Sequence, residues 1–206
     1  MAKVEVEHRG RLSQERFLEL KEYFSKNAKF IGRKKRFSII YVTSEDFVRE
    51  VKDDPVDLKL RITNGKPEVA LKYGKWSGKD ARREFEFKIE KEQFIDFAEF
   101  LKILGYKKAV LMANTKYDYL YKGTTLSLVE VPDWGHYFEA EILVDENKIV
   151  SADQKVEKIL SHLKLKVLNE EEFFELLDEF NNRPGYKVDL EKVKISELLK
   201  KYKDFI

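Results

Sequence analysis

The sequence predicts an α+β protein organised around a closed antiparallel barrel with a charged lumen and helices over its outer face. Three observations predict it. The first is a series of strands in which charge alternates with apolar residues. Lys3, Glu5, Glu7 and Arg9 alternate with Val4, Val6 and His8, and Lys59 and Arg61 stand between Leu58, Leu60 and Ile62. Arg82, Glu84, Glu86 and Lys88 are interleaved with Arg83, Phe85, Phe87 and Ile89, and Glu139 and Glu141 with Phe138, Ala140 and Ile142. Successive side chains on a strand point to opposite faces, so each segment has one charged and one apolar face. One such strand is an ordinary solvated surface. Four of them share an explanation if the apolar faces lie under helices and the charged faces turn toward one another. The second observation is turn chemistry suited to antiparallel neighbours, and the third is the amphipathic segments between and after the strands.

After the first strand, Gly10 and Arg11 lead into a helix with Ser13 as its N-cap and an apolar stripe of Phe17, Leu18, Leu20 and Phe24. From Ala28 to Val42 two strands are expected, parted by a solvated turn at Arg33-Lys34-Lys35-Arg36, since four crowded cations repel least in water. The functional alternative for that cluster is an electropositive lip. Thr43 or Ser44 caps a short helix through Val51, ended by Asp53-Asp54-Pro55. Asn64-Gly65 is a two-residue hairpin signal, pairing residues 57–63 with Pro67–Tyr73, so that Lys59, Arg61 and Lys72 come from adjacent strands. Gly74 to Ala81 is a loop carrying Trp76, followed by a strand over 82–90 and a helix from about Glu92 to Leu104 with Gly105 as its stop. A strand from Lys107 past Tyr121 turns at Lys122-Gly123 into Thr124–Val131. Pro132-Asp133-Trp134-Gly135 then turns it into Tyr137–Val144, where Glu130 is expected to meet Glu139 and Glu141. Ser151 caps a helix through Leu163, Asn169 caps one from Glu170 to Phe180, and Lys187–Ile206 ends in a third helical segment.

The 206 residues, 43% hydrophobic, suffice for one sizeable core, and one domain is expected over 1–206, with barrel strands over about 3–144 and covering helices over about 151–206. Forty Lys and Arg against 38 Asp and Glu leave a formal charge of +2. That balance disfavours a nucleic-acid polymer as partner, which calls for a one-signed basic surface. There is no cysteine, which removes disulfides, zinc–thiolate sites and thiol nucleophiles. No apolar run reaches membrane-spanning length and no signal-peptide core opens the chain, so a cytoplasmic protein without membrane contact is expected. His8, His136 and His162 lack a ligand spacing, and His8 alternates onto the apolar face, where packing is its expected role.

Acids and bases together in a lumen suit a polyanion and its metal, the bases holding phosphates and the carboxylates a hard divalent cation. Here the residues resemble a known family. Glu5-x-Glu7-x-Arg9 is similar to the ExExK signature of the CYTH proteins, the triphosphate tunnel metalloenzymes, which include thiamine triphosphatases, inorganic triphosphatases and class IV adenylyl cyclases. The likeness continues in order through Lys59-x-Arg61, Lys72, Arg82-x-Glu84-x-Glu86 and Glu139-x-Glu141. Three positions depart from it: Arg9 for Lys, Asn114-x-Lys116 for a Lys-x-Arg pair, and Glu130 for Asp.

The resemblance implies a barrel of about eight strands and metal-dependent hydrolysis of a triphosphate: inorganic tripolyphosphate, thiamine triphosphate or a nucleoside triphosphate. It implies that Glu5, Glu7, Glu139 and Glu141 hold Mg²⁺ or Mn²⁺, with Glu84, Glu86 or Glu130 completing the shell or orienting water. Arg9, Lys59, Arg61, Lys72, Arg82 and Lys116 would grip phosphate oxygens. The alternatives are conversion of ATP to cyclic AMP and a non-catalytic binder of polyphosphate or a phosphorylated metabolite, the latter favoured by the weakened pair at Asn114 and Lys116. The expected partner is a small triphosphate, and the expected state a monomer or homodimer.

Overall fold

The structure, a computed structural model, describes residues 3–42, 56–74 and 79–206. The helix expected over 43–51, its stop at Asp53-Asp54-Pro55, and Trp76 lie outside these residues. In chain order the elements are β1 (Lys3–Leu12), α1 (Gln14–Asn27), β2 (Lys29–Val42), β3 (Val56–Thr63), β4 (Lys66–Tyr73), β5 (Lys79–Lys88) and α2 (Gln93–Ile103). They continue as β6 (Lys108–Tyr121), β7 (Thr124–Val131), β8 (Gly135–Asp145), α3 (Ile149–His162), α4 (Glu170–Asn181), β9 (Lys187–Asp189) and α5 (Ile195–Lys201). The strand order is β2-β3-β4-β5-β1-β8-β7-β6-β9, and a further β2–β6 pairing closes the first eight strands into an antiparallel barrel. Closure leaves those eight without a free edge. Among the described residues no helix is long and apolar enough to cross a membrane.

The hairpins follow their turn residues. Asn64 and Gly65 have φ of 49° and 75°, and Lys122 and Gly123 have 50° and 74°. Two successive positive φ values make the primed turn whose twist matches that of the flanking strands. The first turn sets Thr63 opposite Lys66 and Arg61 opposite Glu68. The second sets Tyr121 opposite Thr124 and Asp118 opposite Ser127.

Chain contacts divide the described residues into two compact units. The first comprises Met1–Lys34, Gly74–Glu84 and Thr115–Phe174. In it, Phe17, Leu20 and Phe24 of α1 and Val156, Ile159 and Leu160 of α3 pack with Tyr119, Leu126, Leu128, Phe138 and Ala140 of the sheet. Ser13 Oγ accepts the Arg16 amide as the N-cap of α1. At α4 the Asn169 side chain accepts the Glu172 amide while Glu172 accepts the Asn169 amide, a reciprocal capping box. His8 is fully buried, with Nε2 2.6 Å from Asp153 Oδ1 on α3. The second unit comprises Lys35–Tyr73, Phe85–Asn114 and Glu175–Ile206. There, Phe37, Ile39, Leu60, Ile62 and Val69 pack with Phe94, Ala98 and Leu101 of α2 and with Leu190, Ile195 and Leu198.

Several sequence expectations are corrected. The basic cluster Arg33–Arg36 lies inside one continuous strand, β2, rather than in a turn. Alternation places neighbouring cations on opposite faces. Lys34 Nζ lies 2.7 Å from Asp118, Arg36 Nε donates to Thr63 Oγ1, and the Arg33 guanidinium lies 5.8 Å from the Tyr117 ring centre. β5 begins at Lys79, three residues before the expected start. Its Phe85 and Phe87 are 47% and 63% exposed, so helices do not cover the apolar face of that strand throughout. Helix α3 begins at Ile149, preceded by a 3₁₀ turn over Glu146–Lys148, and Ser151 lies within its first turn instead of capping it. Residues Lys187–Asp189 form a short strand on β6.

Candidate functional site

Directly opposed residues of an antiparallel pair share a face. On β1 and β8 the register opposes Glu5 to Leu143, Glu7 to Glu141, and Arg9 to Glu139. On the other side of β1, Glu5 is opposite Arg82 of β5. Beyond β8, Thr125 is opposite Glu141 and Ser127 opposite Glu139. Asp118 is opposite Ser127, extending one row to Arg9, Glu139, Ser127 and Asp118. The first unit therefore collects Glu5, Glu7, Arg9, Arg82, Lys116, Asp118, Glu139 and Glu141 on the face turned away from α1 and α3. Glu84 follows Arg82 by two residues and shares that face.

Glu7, Arg9, Arg82, Lys116 and Asp118 are buried, and Glu5, Glu84, Glu139 and Glu141 are half-buried. Glu7 is 3% exposed, with Oε2 2.7 Å from Arg9 Nη2 and 3.9 Å from Arg82 Nη2. The Arg9 guanidinium lies 4.9 Å from the centre of the Phe173 ring, a cation–π contact with α4. Lys116 Nζ reaches Glu139 Oε2 at 2.6 Å. Asp118 accepts from Ser127 Oγ at 2.7 Å as well as from Lys34. Burial acts to raise the Asp118 pKa, but Lys116, the two hydrogen bonds and the Lys34 charge outweigh it and hold the carboxyl below its usual value. Glu141 behaves oppositely. Burial pushes it up to about 8; Lys116 opposes that shift, while Glu5, Glu7 and Glu139 add to it.

In the second unit, Asp57, Lys59 and Arg61 of β3 share a face with Lys72, Ala70 and Glu68 of β4 and with Ser38 of β2. Arg61 is 4% exposed and bonds Glu68 through Nε at 2.6 Å and Glu86 through Nη2. Lys59 Nζ is 2.7 Å from Asp57, itself 3% exposed. Lys72 is opposite Asp57.

Glu130 does not join the other acids. It is opposite His136, on the opposite face from Glu139 and Glu141, and is exposed; the inward position beside it belongs to Val129. An offset of one residue reverses a strand side chain, and this one separates Glu130 from the carboxylates expected beside it. Sequence reasoning also missed Asp57, Glu68, Asp118 and Lys34. The spacings Asp57-x-Lys59-x-Arg61 and Lys116-x-Asp118 carried the signal for two of them. The Asn64-Gly65 turn implied Glu68 opposite Arg61. Lys34 was hidden by reading its cluster as a turn.

The donors are of the kind a hard divalent cation takes: the carboxylates of Glu7 and Glu141 face one another on adjacent strands, and burial with the surrounding negative charge raises the Glu141 pKa to about 8. Among the described residues, no three His, Asp or Glu side chains converge as a ready-made ligand group. Glu7 and Glu139 instead make ion pairs with Arg9 and Lys116.

Among the described residues, an eight-stranded antiparallel ring with five helices matches the triphosphate tunnel fold. No family model and no curated protein matches the chain. Among solved structures, a Pyrococcus horikoshii protein is 26% identical, with a TM-score of 0.62 over 86% of this chain and 98% of its own. A Vibrio parahaemolyticus protein named as a candidate adenylate cyclase is 16% identical, with a TM-score of 0.62 over 86% of this chain and 99% of its own. A Hippeastrum protein, named as a candidate adenylyl cyclase and described as having a dominant triphosphatase activity, is 16% identical, with a TM-score of 0.54 over 81% and 90% of the two chains. At these identities the likeness to the last two establishes the fold and nothing further.

Proposed function

We propose that this chain binds a small triphosphate on the charged inner face of its barrel and hydrolyses it with Mg²⁺ or Mn²⁺. The observation that carries the reading is the opposition of Glu7 and Glu141, with Arg9 and Glu139 opposed in the next row and Arg82 within 3.9 Å of Glu7. Like charges directly opposite destabilise a sheet. Their arrangement is explained if a divalent cation and a polyanion belong among them.

In this reading Glu5, Glu7, Glu139 and Glu141 hold the metal, which when bound supplies charge neutralisation of the phosphoryl group and activation of water. Glu84 and Glu86 are proposed to orient water. Arg9, Arg82 and Lys116 bind phosphoryl oxygens, exchanging their present carboxylate partners for substrate, and Lys59, Arg61 and Lys72 are proposed as further phosphate contacts. The triphosphatase activity described for the Hippeastrum protein supports a triphosphate as substrate. The near-neutral charge supports a small ligand rather than a nucleic-acid polymer as partner.

A second reading, a binder without turnover, is favoured by one observation. Lys116 is tied to Glu139, and its neighbour on the same face is Asn114, whose buried Oδ1 has no hydrogen-bond partner among the described residues. Incubation with tripolyphosphate, thiamine triphosphate and ATP, each with Mg²⁺ and with Mn²⁺, tests the proposal. Phosphate release from one of them is expected. Cyclic AMP without phosphate release would assign a cyclase, and retention of intact tripolyphosphate over hours would assign a binder.

A further inference from the structure

On the outer side of the first unit, a cleft of about 310 Å³ is lined by Lys122, Ser151, Gln154, Lys155, Lys158 and Ile159. Lys122 sits in the turn between β6 and β7. The other five project from α3, where spacings of three and four residues bring side chains onto one face. Val156 and Leu160 of the same helix are buried in the core, which places the cleft outside the barrel and away from the inner carboxylates.

The charge on α3 is segregated. Its acids look toward β1 and β5, with Asp153 bonded to His8 and Glu157 to Lys79. Its lysines look toward the hairpin. Lys155 Nζ donates to the Gly123 carbonyl at 3.3 Å, and Lys122 Nζ lies 5.2 Å from the Tyr121 ring centre. Among the described residues no carboxylate pairs with Lys122, Lys155 or Lys158. A Cβ at Gly123 would stand 2.9 Å from Lys155 Nζ, the far end of a flexible side chain, so the ammonium lies directly over the turn. Lys122 itself holds a left-handed φ of 50°, a conformation more usual for Asn or Gly. Three cations around one concavity repel each other, and an anion in the cleft would reverse that energy. Gln154 and Ser151 add neutral hydrogen-bonding groups, and buried Ile159 supplies an apolar floor.

We propose that this cleft binds a small phosphate-bearing anion, independently of the chemistry of the lumen. Its volume is at the lower end of small-molecule clefts. Three ammonium groups match a compact ligand with two or three negative charges, and ammonium groups act toward phosphate as point charges without requiring planar bidentate geometry. A nucleic-acid polymer or an anionic membrane fits less well, because the lysines line a concavity on a chain with a formal charge of only +2.

The test is titration of inorganic pyrophosphate into the metal-free full chain at constant ionic strength, following backbone amide resonances, with sodium chloride as control. Saturable shifts at Lys122, Gly123, Lys155 and Lys158 are expected, with an affinity that falls at least tenfold in the Lys155→Gln/Lys158→Gln double variant and several-fold in Lys122→Gln. All three lysines are exposed, so these variants should fold as wild type, as circular dichroism would verify. These signals are separate from those of Glu7, Arg9 and Glu139, so failure of the cleft and failure of the lumen reading are distinguishable. Shifts that grow linearly and equally with chloride would overturn the proposal, as would an unchanged affinity in the double variant. A response only to an oligonucleotide or to anionic vesicles would overturn it in favour of a polymer or membrane surface.

Discussion

Replacing Glu141 by glutamine should make the metal-free protein more stable at neutral and alkaline pH and leave it nearly unchanged at pH 5. Burial raises Glu141 from 4.5 to about 8, against the pull of Lys116 and with the help of Glu5, Glu7 and Glu139. The folded state therefore binds a proton that the unfolded chain has released. The stability linked to that proton is fully present below about pH 4.5 and is lost as pH rises through about 8. At pH 7 the loss is about 3 kcal/mol if the whole shift is expressed, or roughly 6–12 °C in Tm for a chain of this size. Glutamine keeps the shape and has no proton to lose, so Glu141→Gln should abolish most of that slope. The assay is denaturant unfolding of both proteins in a chelator at pH 5, 6, 7 and 8. Parallel pH profiles for the two would refute the reasoning. In the wild type, Mg²⁺ or Mn²⁺ should displace the proton and restore stability, and calorimetry in buffers of different ionisation enthalpy would measure a release approaching one proton near pH 7.

The remaining expectations concern turnover and packing. Glu7→Gln and Glu141→Gln should each abolish most phosphate release while preserving the fold, and the double variant should be barely worse than either, since groups acting as a unit are not additive; multiplicative losses would indicate two separate sites. Glu130→Gln should keep phosphate release within about twofold of wild type, because the side chain is exposed on the opposite face; a large loss would return it to the site. Lys59→Ala should lower kcat/KM by roughly 10- to 100-fold through the lost charge-assisted contact, with some loss of stability from the buried Asp57 left behind. Phe24→Ala, at a fully buried position of α1, should cost about 3–5 kcal/mol in unfolding experiments.

The sequence by itself determined the alternation of Glu5/Glu7/Arg9, Lys59/Arg61, Arg82/Glu84/Glu86 and Glu139/Glu141, because the two-residue period of a strand is a local property. It also determined the Asn64-Gly65 and Lys122-Gly123 hairpins, whose backbone conformations only a few residue types adopt cheaply. From those turns the pairing of Arg61 with Glu68 was already legible. Only the tertiary structure decided which strands lie beside which. Nothing local relates β1 to β8, 130 residues later, so the opposition of Glu7 to Glu141 and of Arg9 to Glu139 depends on ring closure and register. Register likewise turned Glu130 outward and Val129 inward. The basic run Arg33–Arg36 was misread because its repulsion was judged along the chain, whereas in β2 the charges alternate between faces, and Asp118, 84 residues from Lys34 in sequence, neutralises that lysine across the sheet. The raised pKa of Glu141 is also a product of three-dimensional crowding, since burial and three other glutamates act on a group whose sequence neighbours are apolar.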